Sequence, residues 1–408
     1  MSQARKILVV GGGPAGTFAA IEARRQDPAA HVALLTDETC EPYEKPPLSK
    51  AVLLGKALPE DAPIAGPGGV TAHRIEHVPG HCIAIDRQAR EIVTDAENRL
   101  PYDALVIATG SMMRELPALP LGMPRVHYLR TEAHARALRA DLAKCRQVLV
   151  IGAGLIGLEV AASAAELGIK TTVLEIAPRI LPRVCDEETS ALILQEHSRR
   201  GVDIRLGSVL TDVEPQADGR IGVRTGTGGL FVADLVIVGA GVKPDDRLAA
   251  AAGLATQDGI IVDEQCRTSD PAIFAAGDVV RLPGPYGLVR LENWRHAQDH
   301  GAVAGRNAAG AREPYRTVPS FWSEQYDLYI QGVGWPSDKS PDQRVRRPLG
   351  KGTLLLETTG GVLSYALGIN AQKEVAAVRR LIERRVPVDP RHLADPARPL
   401  AALLKAKA

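Results

Sequence analysis

Lys6-Ile-Leu-Val-Val-Gly-Gly-Gly-Pro-Ala-Gly16 and Gln147-Val-Leu-Val-Ile-Gly-Ala-Gly-Leu-Ile-Gly157 decide how this chain folds. Each begins with a short, β-branched apolar run of the kind buried in a parallel sheet. Each then enters a G-x-G-x-x-G turn: Gly11, Gly13 and Gly16 in the first, Gly152, Gly154 and Gly157 in the second. An Ala-rich amphipathic stretch to about Arg25 and a strand-like run from Val32 to Thr36 follow the first turn. The second leads through a helix to about Leu167 and a strand from Lys170. Asp37 and Glu175 close the two second strands, where a carboxylate accepts hydrogen bonds from a ribose diol. In such a turn the first glycine makes the bend, the second lets a pyrophosphate approach the backbone and the third lets helix pack on strand. The helix N-terminus then presents free N–H groups to the phosphates.

The exits repeat as well as the entries. Tyr102-Asp-Ala-Leu-Val-Ile-Ala-Thr-Gly110 matches Ala233-Asp-Leu-Val-Ile-Val-Gly-Ala-Gly241. A duplicated unit with duplicated exits points to two dinucleotide-binding domains. Thr268 to Asp278 reads as the returning segment of the first unit, so the second is nested inside it. After Pro314 the pattern changes to clustered aromatics (Phe321, Trp322, Tyr326, Tyr329), alternating runs at 353–357 and 362–367, and a helix over about 373–385. The expected α/β organisation is a first nucleotide domain over 1–113 and 242–316, an inserted one over 114–241, and a C-terminal α+β domain over 317–408.

Composition narrows the function by exclusion. Of 408 residues, 45% are hydrophobic and 24% charged, with a net charge of +1, which gives no electrostatic footprint for nucleic acid or an acidic membrane. No apolar run approaches the roughly 20 residues of a spanning helix. The short polar lead from Met1 to Lys6 leaves no room for a signal peptide, so a cytoplasmic location is expected. The five cysteines, at 40, 82, 145, 185 and 266, form no CxxC or CxxxxC pair, so neither a disulfide framework nor a metal site is expected. Residues 317–408 hold 14 Lys and Arg against 9 Asp and Glu, a basic C-terminal domain on an otherwise acidic body.

Four segments resemble one family. Glu41-Pro-Tyr-Glu-Lys-Pro-Pro-Leu-Ser-Lys50, Leu129-Arg-Thr131, Gly154-Leu-Ile-Gly-Leu-Glu159 and Phe321-Trp-Ser-Glu-Gln-Tyr326 are similar to segments of the oxygenase-coupled NADH–ferredoxin reductases, the group that includes putidaredoxin reductase and biphenyl-type dioxygenase reductases. The resemblance implies a glutathione-reductase-like fold with non-covalent FAD, NADH in the inserted domain and a 2Fe–2S ferredoxin as partner. It implies hydride transfer from NADH to flavin N5, then single electrons through the ferredoxin to an oxygenase, in a monomer or weak dimer. By the same resemblance Ala15, Asp37, Lys50, the backbone at Cys82, Arg130, Asp278 and Trp294 touch FAD. Lys50 and Glu159 pair beside N5 and the nicotinamide, and Trp322 lies on the ferredoxin side. Lys45, Ala108, Thr109, Gly110, Ile156, Gly241 and Glu292 complete the set around the two nucleotides. Two departures stand out. Lys45 replaces a frequent arginine and cannot make its planar bidentate contact, and Ser111-Met-Met-Arg114 replaces a small residue and proline before arginine.

Glu175 would repel a 2′-phosphate and so favours NADH, while nearby Arg179 and Arg183 leave NADPH open. Two other functions fit the same frame. A thiol-dependent NADH oxidase or peroxidase would need Cys40, whose neighbours Glu38, Glu41 and Glu44 oppose a thiolate. An NADH-sensing flavoprotein of the apoptosis-inducing type would work by interaction.

Overall fold

The computed structural model describes residues 4–336 and 341–405. Met1–Gln3 of the polar lead, and Asp338, Lys339 and Lys407 of the C-terminal charge count, lie outside these residues. The helices are α1 (Pro14–Gln26), α2 (Glu132–Leu142), α3 (Leu155–Glu166), α4 (Glu187–Arg199), α5 (Arg247–Ala251), α6 (Trp294–Ala308), α7 (Gln372–Glu383) and α8 (Pro390–Ala394).

Two five-stranded parallel sheets dominate the architecture. In the first, Lys6–Val10 lies between His31–Thr36 and Ala104–Ile107, with Glu76–Pro79 and Ile273–Ala275 at the edges. In the second, Gln147–Ile151 lies between Lys170–Leu174 and Leu235–Val238, with Asp203–Arg205 and Val126–Tyr128 at the edges. Strands buried on both faces must be apolar throughout, which is why Ile7 to Val10 and Val148 to Ile151 show no alternation. The edge strand Ile273–Ala275 arrives after the whole second unit, so the nesting is physical. Each unit also carries a three-stranded antiparallel meander, Cys82–Asp86 to Arg99–Pro101 in one and Leu210–Pro215 to Leu230–Ala233 in the other. The two chain crossings between units, Ser111–Met113 and Val242–Pro244, pair antiparallel with each other.

The C-terminal sheet is antiparallel, in the order Ser320–Gln325, Leu328–Gly334, Val362–Ile369, Gly352–Thr359, Gln343–Leu349. α7 closes one face through Val375, Val378 and Leu381, which share a core with Val333, Leu354, Leu356 and Leu363. Each such fully buried aliphatic side chain contributes about 1.5–3 kcal/mol of transfer free energy. α6 crosses α1 at glycines: a Cβ on Gly301 would sit 2.1 Å from the Ala15 carbonyl oxygen, and one on Gly305 2.0 Å from that of Ala19. This backbone-to-backbone approach brings the start of α6, with Trp294, up to the first glycine turn.

Candidate active site

The glycine turns divide their labour by position. Gly11, at φ +113°, would place a Cβ 2.3 Å from the Ala108 carbonyl oxygen, and Gly16 would place one 1.8 Å from that of Gly11. A Cβ on Gly13 meets nothing within 4 Å. The second turn repeats this, with contacts of 2.5 Å for Gly152 and 2.1 Å for Gly157 and none for Gly154. First and third glycines are thus demanded by packing, and the second faces open space. α1 and α3 begin at Gly13 and Gly154 with no side-chain cap, whereas α2, α4 and α6 are capped by Thr131, Asp186 and Asn293. Uncapped first-turn N–H groups facing an open cradle fit a pyrophosphate at both sites.

The two acidic strand ends differ. Val10 pairs with Leu35 and Ile151 with Leu174, so Thr36 occupies the place of Glu175, and Asp37 lies one residue further on. The Glu175 carboxylate is buried against its turn and accepts N–H bonds from Ala153 (2.5 Å) and Ala177 (2.8 Å). Thr36 bonds the Glu38 carbonyl at 2.9 Å and lies 2.8 Å from His77 Nε2, and Asp37 is exposed beyond it. Glu38 accepts from Tyr43 Oη at 2.6 Å and Lys45 Nζ at 2.7 Å. Burial would raise the Glu38 pKa, but the Lys45 charge and these bonds outweigh it and lower it. The structure therefore commits Lys45 to Glu38. The chain turns past this strand end at Gly80, whose N–H reaches the Thr36 carbonyl at 2.8 Å, and leads to the buried Cys82.

On the other rim, Arg130 lies against Gly110, close enough for a Cβ there to sit 3.2 Å from its Nη2. Ser111 Oγ lies 3.3 Å from Asp278 Oδ2. Burial pushes the Asp278 pKa up and the Arg130 charge opposes it. Thr109 Oγ1 donates to the Asp245 carbonyl at 2.8 Å, and Arg114 N–H holds the Gly241 carbonyl at 3.0 Å, fastening the two crossings together. Glu292 is exposed and paired with Arg290, and Ile156 is exposed beside the second turn. Trp294 stands edge-on to Phe18 (centroids 6.3 Å) and to Trp322 (5.8 Å), so the flavin-side and ferredoxin-side tryptophans of the sequence reading touch.

Where the three units meet, Lys50 Nζ lies 3.0 Å from Glu159 Oε2, and Glu159 is only 6% exposed. Ser49 Oγ donates to the same oxygen, and Ser323 Oγ donates to Oε1 at 2.6 Å. Behind Ser323 stand Gln325 and His197, both fully buried. Sequence reasoning missed Ser49, Ser323, Gln325 and His197 as site residues. Three of them lie inside the quoted motifs, and strand alternation over 320–325 was the usable signal, since it sets Ser323 and Gln325 on the face opposite Trp322. Only His197, on another helix, left no mark.

The comparisons with known proteins agree with this frame. Residues 5–301 match the family described as pyridine nucleotide-disulphide oxidoreductase. The chain belongs to that family. Residues 320–404 further match the reductase C-terminal family. The ferredoxin–NAD(+) reductase component of the p-cumate 2,3-dioxygenase system of Pseudomonas putida is 36% identical, over 97% of both chains. The corresponding component of the anthranilate 1,2-dioxygenase system of Burkholderia cepacia is 38% identical, over 95% of this chain and 97% of its own. The covalent putidaredoxin reductase–putidaredoxin complex superposes with a TM-score of 0.92 at 32% identity, covering 99% of this chain and 100% of that one.

Although the family takes its name from disulphide chemistry, this member has no cysteine pair: all five thiols are free. Burial, with Glu132 and Glu38 adding to it, pushes the Cys40 thiol up to about 12. Glu132 rather than Glu41 or Glu44 joins Glu38 there, and desolvation outranks charge as the cause. Burial likewise raises Cys82 to about 11 and Cys185 to about 12. None of these is a thiolate near neutral pH.

Proposed function

We propose that the chain is an FAD-dependent NADH:ferredoxin oxidoreductase, delivering electrons to a 2Fe–2S ferredoxin that serves an oxygenase. The observation that carries this reading is the pairing of half-buried Lys50 with buried Glu159 at the junction of the two nucleotide units. A thiol enzyme on this frame would rely instead on Cys40, whose thiol burial pushes up to about 12. Both glycine turns fit a pyrophosphate, which favours FAD over a mononucleotide flavin. When bound, the flavin accepts a hydride from the nicotinamide and passes its electrons on singly.

The residues supply binding, position and field. Gly13 and Gly154 open the phosphate cradles, Asp37 and Glu175 take the riboses, and Arg130 and Asp278 hold the flavin's chain. Ala15, Ala108, Thr109, Gly110, Cys82 and Glu292 border FAD, and Ile156 and Gly241 border the nicotinamide nucleotide. Lys50 and Glu159 set the charge beside the reacting atoms. Arg179 spends its guanidinium on the carbonyls of Cys185 (2.5 Å) and Pro182 (3.0 Å), which supports NADH over NADPH.

Much of the C-terminal positive charge is already paired: Arg344 with Glu357, Arg346 with Asp186, Arg379 with Asp299 and Glu383. The exposed Lys373, Arg380, Arg384 and Arg385, at and beyond α7, remain to steer an acidic ferredoxin toward Trp322. A monomer or weak dimer in the cytoplasm suits such an encounter. The test is turnover. NADH consumption that depends on an added 2Fe–2S ferredoxin is expected, and turnover that ignores ferredoxin would refute the assignment.

A further inference from the structure

One file of hydrogen bonds runs from the surface to Glu159, crossing between the C-terminal domain and the inserted unit. Tyr326 Oη lies 3.3 Å from His197 Nδ1, and His197 Nε2 lies 2.8 Å from Gln325 Oε1. Gln325 Nε2 donates to Ser323 Oγ at 3.1 Å, and Ser323 Oγ donates to Glu159 Oε1 at 2.6 Å. Ser323, Gln325 and His197 are at most 1% exposed, so no water competes for these bonds. At the outer end Tyr326 packs edge-on to His197 (5.1 Å between centroids) and under the Arg200 guanidinium (4.9 Å).

Chemistry allows the file one direction. Glu159 offers acceptors only, so Ser323 must give it its single proton. Ser323 then needs a donor, which must be the Gln325 amide nitrogen. That turns the Gln325 carbonyl toward His197, which must carry its proton on Nε2. The Nδ1 left over accepts, and Tyr326 supplies the O–H. A side-chain amide does not relay protons, so the file orients and does not conduct.

We propose that Ser323, Gln325, His197 and Tyr326 are positioning residues for hydride transfer: a one-way donor file that ties Glu159 Oε1 to the C-terminal domain and leaves Oε2 to Lys50 and Ser49. This rests on the assignment of Glu159 to the NADH–flavin site. It explains why the C-terminal strand reaches into a contact between two nucleotide units.

Gln325→Glu tests it with almost no change of shape. A carboxylate at 325 accepts from both His197 and Ser323, so it competes with Glu159 for the one Ser323 proton. Flavin reduction by NADH, followed by stopped flow in the FAD-loaded protein, should slow about tenfold, inside the ~10²-fold that small misplacements cost. The NADH half-saturation should hardly move, and the long-wavelength absorbance of the reduced enzyme–NAD+ complex should shift. Ser323→Ala removes the contested proton, so in that background Gln325→Glu should add no further slowing. Independent packing effects would instead add. Should Gln325→Glu not fold, Ser323→Ala alone decides, with at least a fivefold slower reduction expected. Glu159→Gln is measured alongside. If it slows reduction while Ser323→Ala and Gln325→Glu do not, or if their effects add, the file is only structural and the proposal fails. If Glu159→Gln also reduces at the wild-type rate, the placement of Glu159 fails with it.

Discussion

Replacing Glu175 by Gln should erase the discrimination between NADH and NADPH. Glu175 is 8% exposed and is held against the second glycine turn by the Ala153 and Ala177 N–H groups. A nucleotide lying on that turn brings its adenosine ribose beside this carboxylate. A unit negative charge about 4 Å away costs about 1 kcal/mol in bulk water and about 4 kcal/mol at an effective dielectric of ~20. A partly desolvated site lies between these limits, so NADPH should lose about 5-fold to ~10³-fold in kcat/KM. Of the two nearby cations that could offset the penalty, Arg179 is engaged with loop carbonyls, while Arg183 is exposed. Gln keeps the volume but only one strong acceptor, so one of the two N–H bonds weakens, at a cost of about 1–3 kcal/mol in stability. The assay is kcat/KM for both nucleotides with an artificial acceptor, in wild type and Glu175→Gln. The ratio should fall by the same factor that the wild type shows. A wild type that uses both nucleotides equally, or a variant that keeps the wild-type ratio, would refute the reasoning.

Lys50→Ala should slow flavin reduction by NADH about 10²-fold, the scale of a lost electrostatic contact at a reacting centre. The fold should survive, because Ser49 and Ser323 still donate to Glu159; stopped flow and thermal melting read the two effects. Replacing all five cysteines by Ser or Ala should leave ferredoxin-dependent turnover largely intact, and its loss on Cys40→Ser alone in folded protein would restore the thiol-enzyme reading. Salt raised from about 50 to 300 mM should weaken the ferredoxin step more than reduction of a dye, since the screening length drops well below ~10 Å, and Trp322→Ala should act the same way. Acid should unfold the protein through its buried histidines: burial lowers His296 to about 4 and lowers His197 and His300 too, the latter also through His296 beside it. The unfolded chain binds more protons below its ordinary histidine pKa of ~6.5, so each group removes about 1.4 kcal/mol per pH unit as pH falls from there toward the folded value. Chemical denaturation at pH 7.5 and 5 should show this loss, reduced in His300→Gln.

The fold was legible because its signals are local and doubled. A strand, a glycine turn and an Ala-rich helix specify one another within thirty residues, and the second copy removes the ambiguity of the first. Residues whose meaning is a backbone position, such as Gly13 and Gly154, could be read from spacing alone. Asp37 shows the limit. Its strand, His31–Thr36, runs one residue longer than Lys170–Leu174, so matching the acidic residues that follow the two strands equates Asp37 with Glu175 while the register equates Thr36. Lys45 shows another. Its identity says only that an arginine's bidentate reach is gone, and the ion pair it makes instead, with Glu38 through a turn at Tyr43, depends on a loop no propensity describes.

What sequence hides most completely is the price at which one carboxylate is held. Glu159 belongs to a helix buried without a break from Gly157 to Ala164, and by pattern alone a charge in so apolar a run is an error. It is tolerated because donors arrive from residues 110 positions before it and 164 positions after it. Those donors come from the two segments, Pro-Pro-Leu-Ser-Lys and Trp-Ser-Glu-Gln-Tyr, that identified the family by resemblance without a physical reason. The structure supplies the reason. Ser49 and Lys50 stand at the end of one single-turn helix, and Ser323 and Gln325 stand on one face of one strand. A buried charge removed from its partners costs several kcal/mol, so neither segment can change its hydroxyl without exposing the other's contribution. The two motifs therefore form one requirement, set by Glu159.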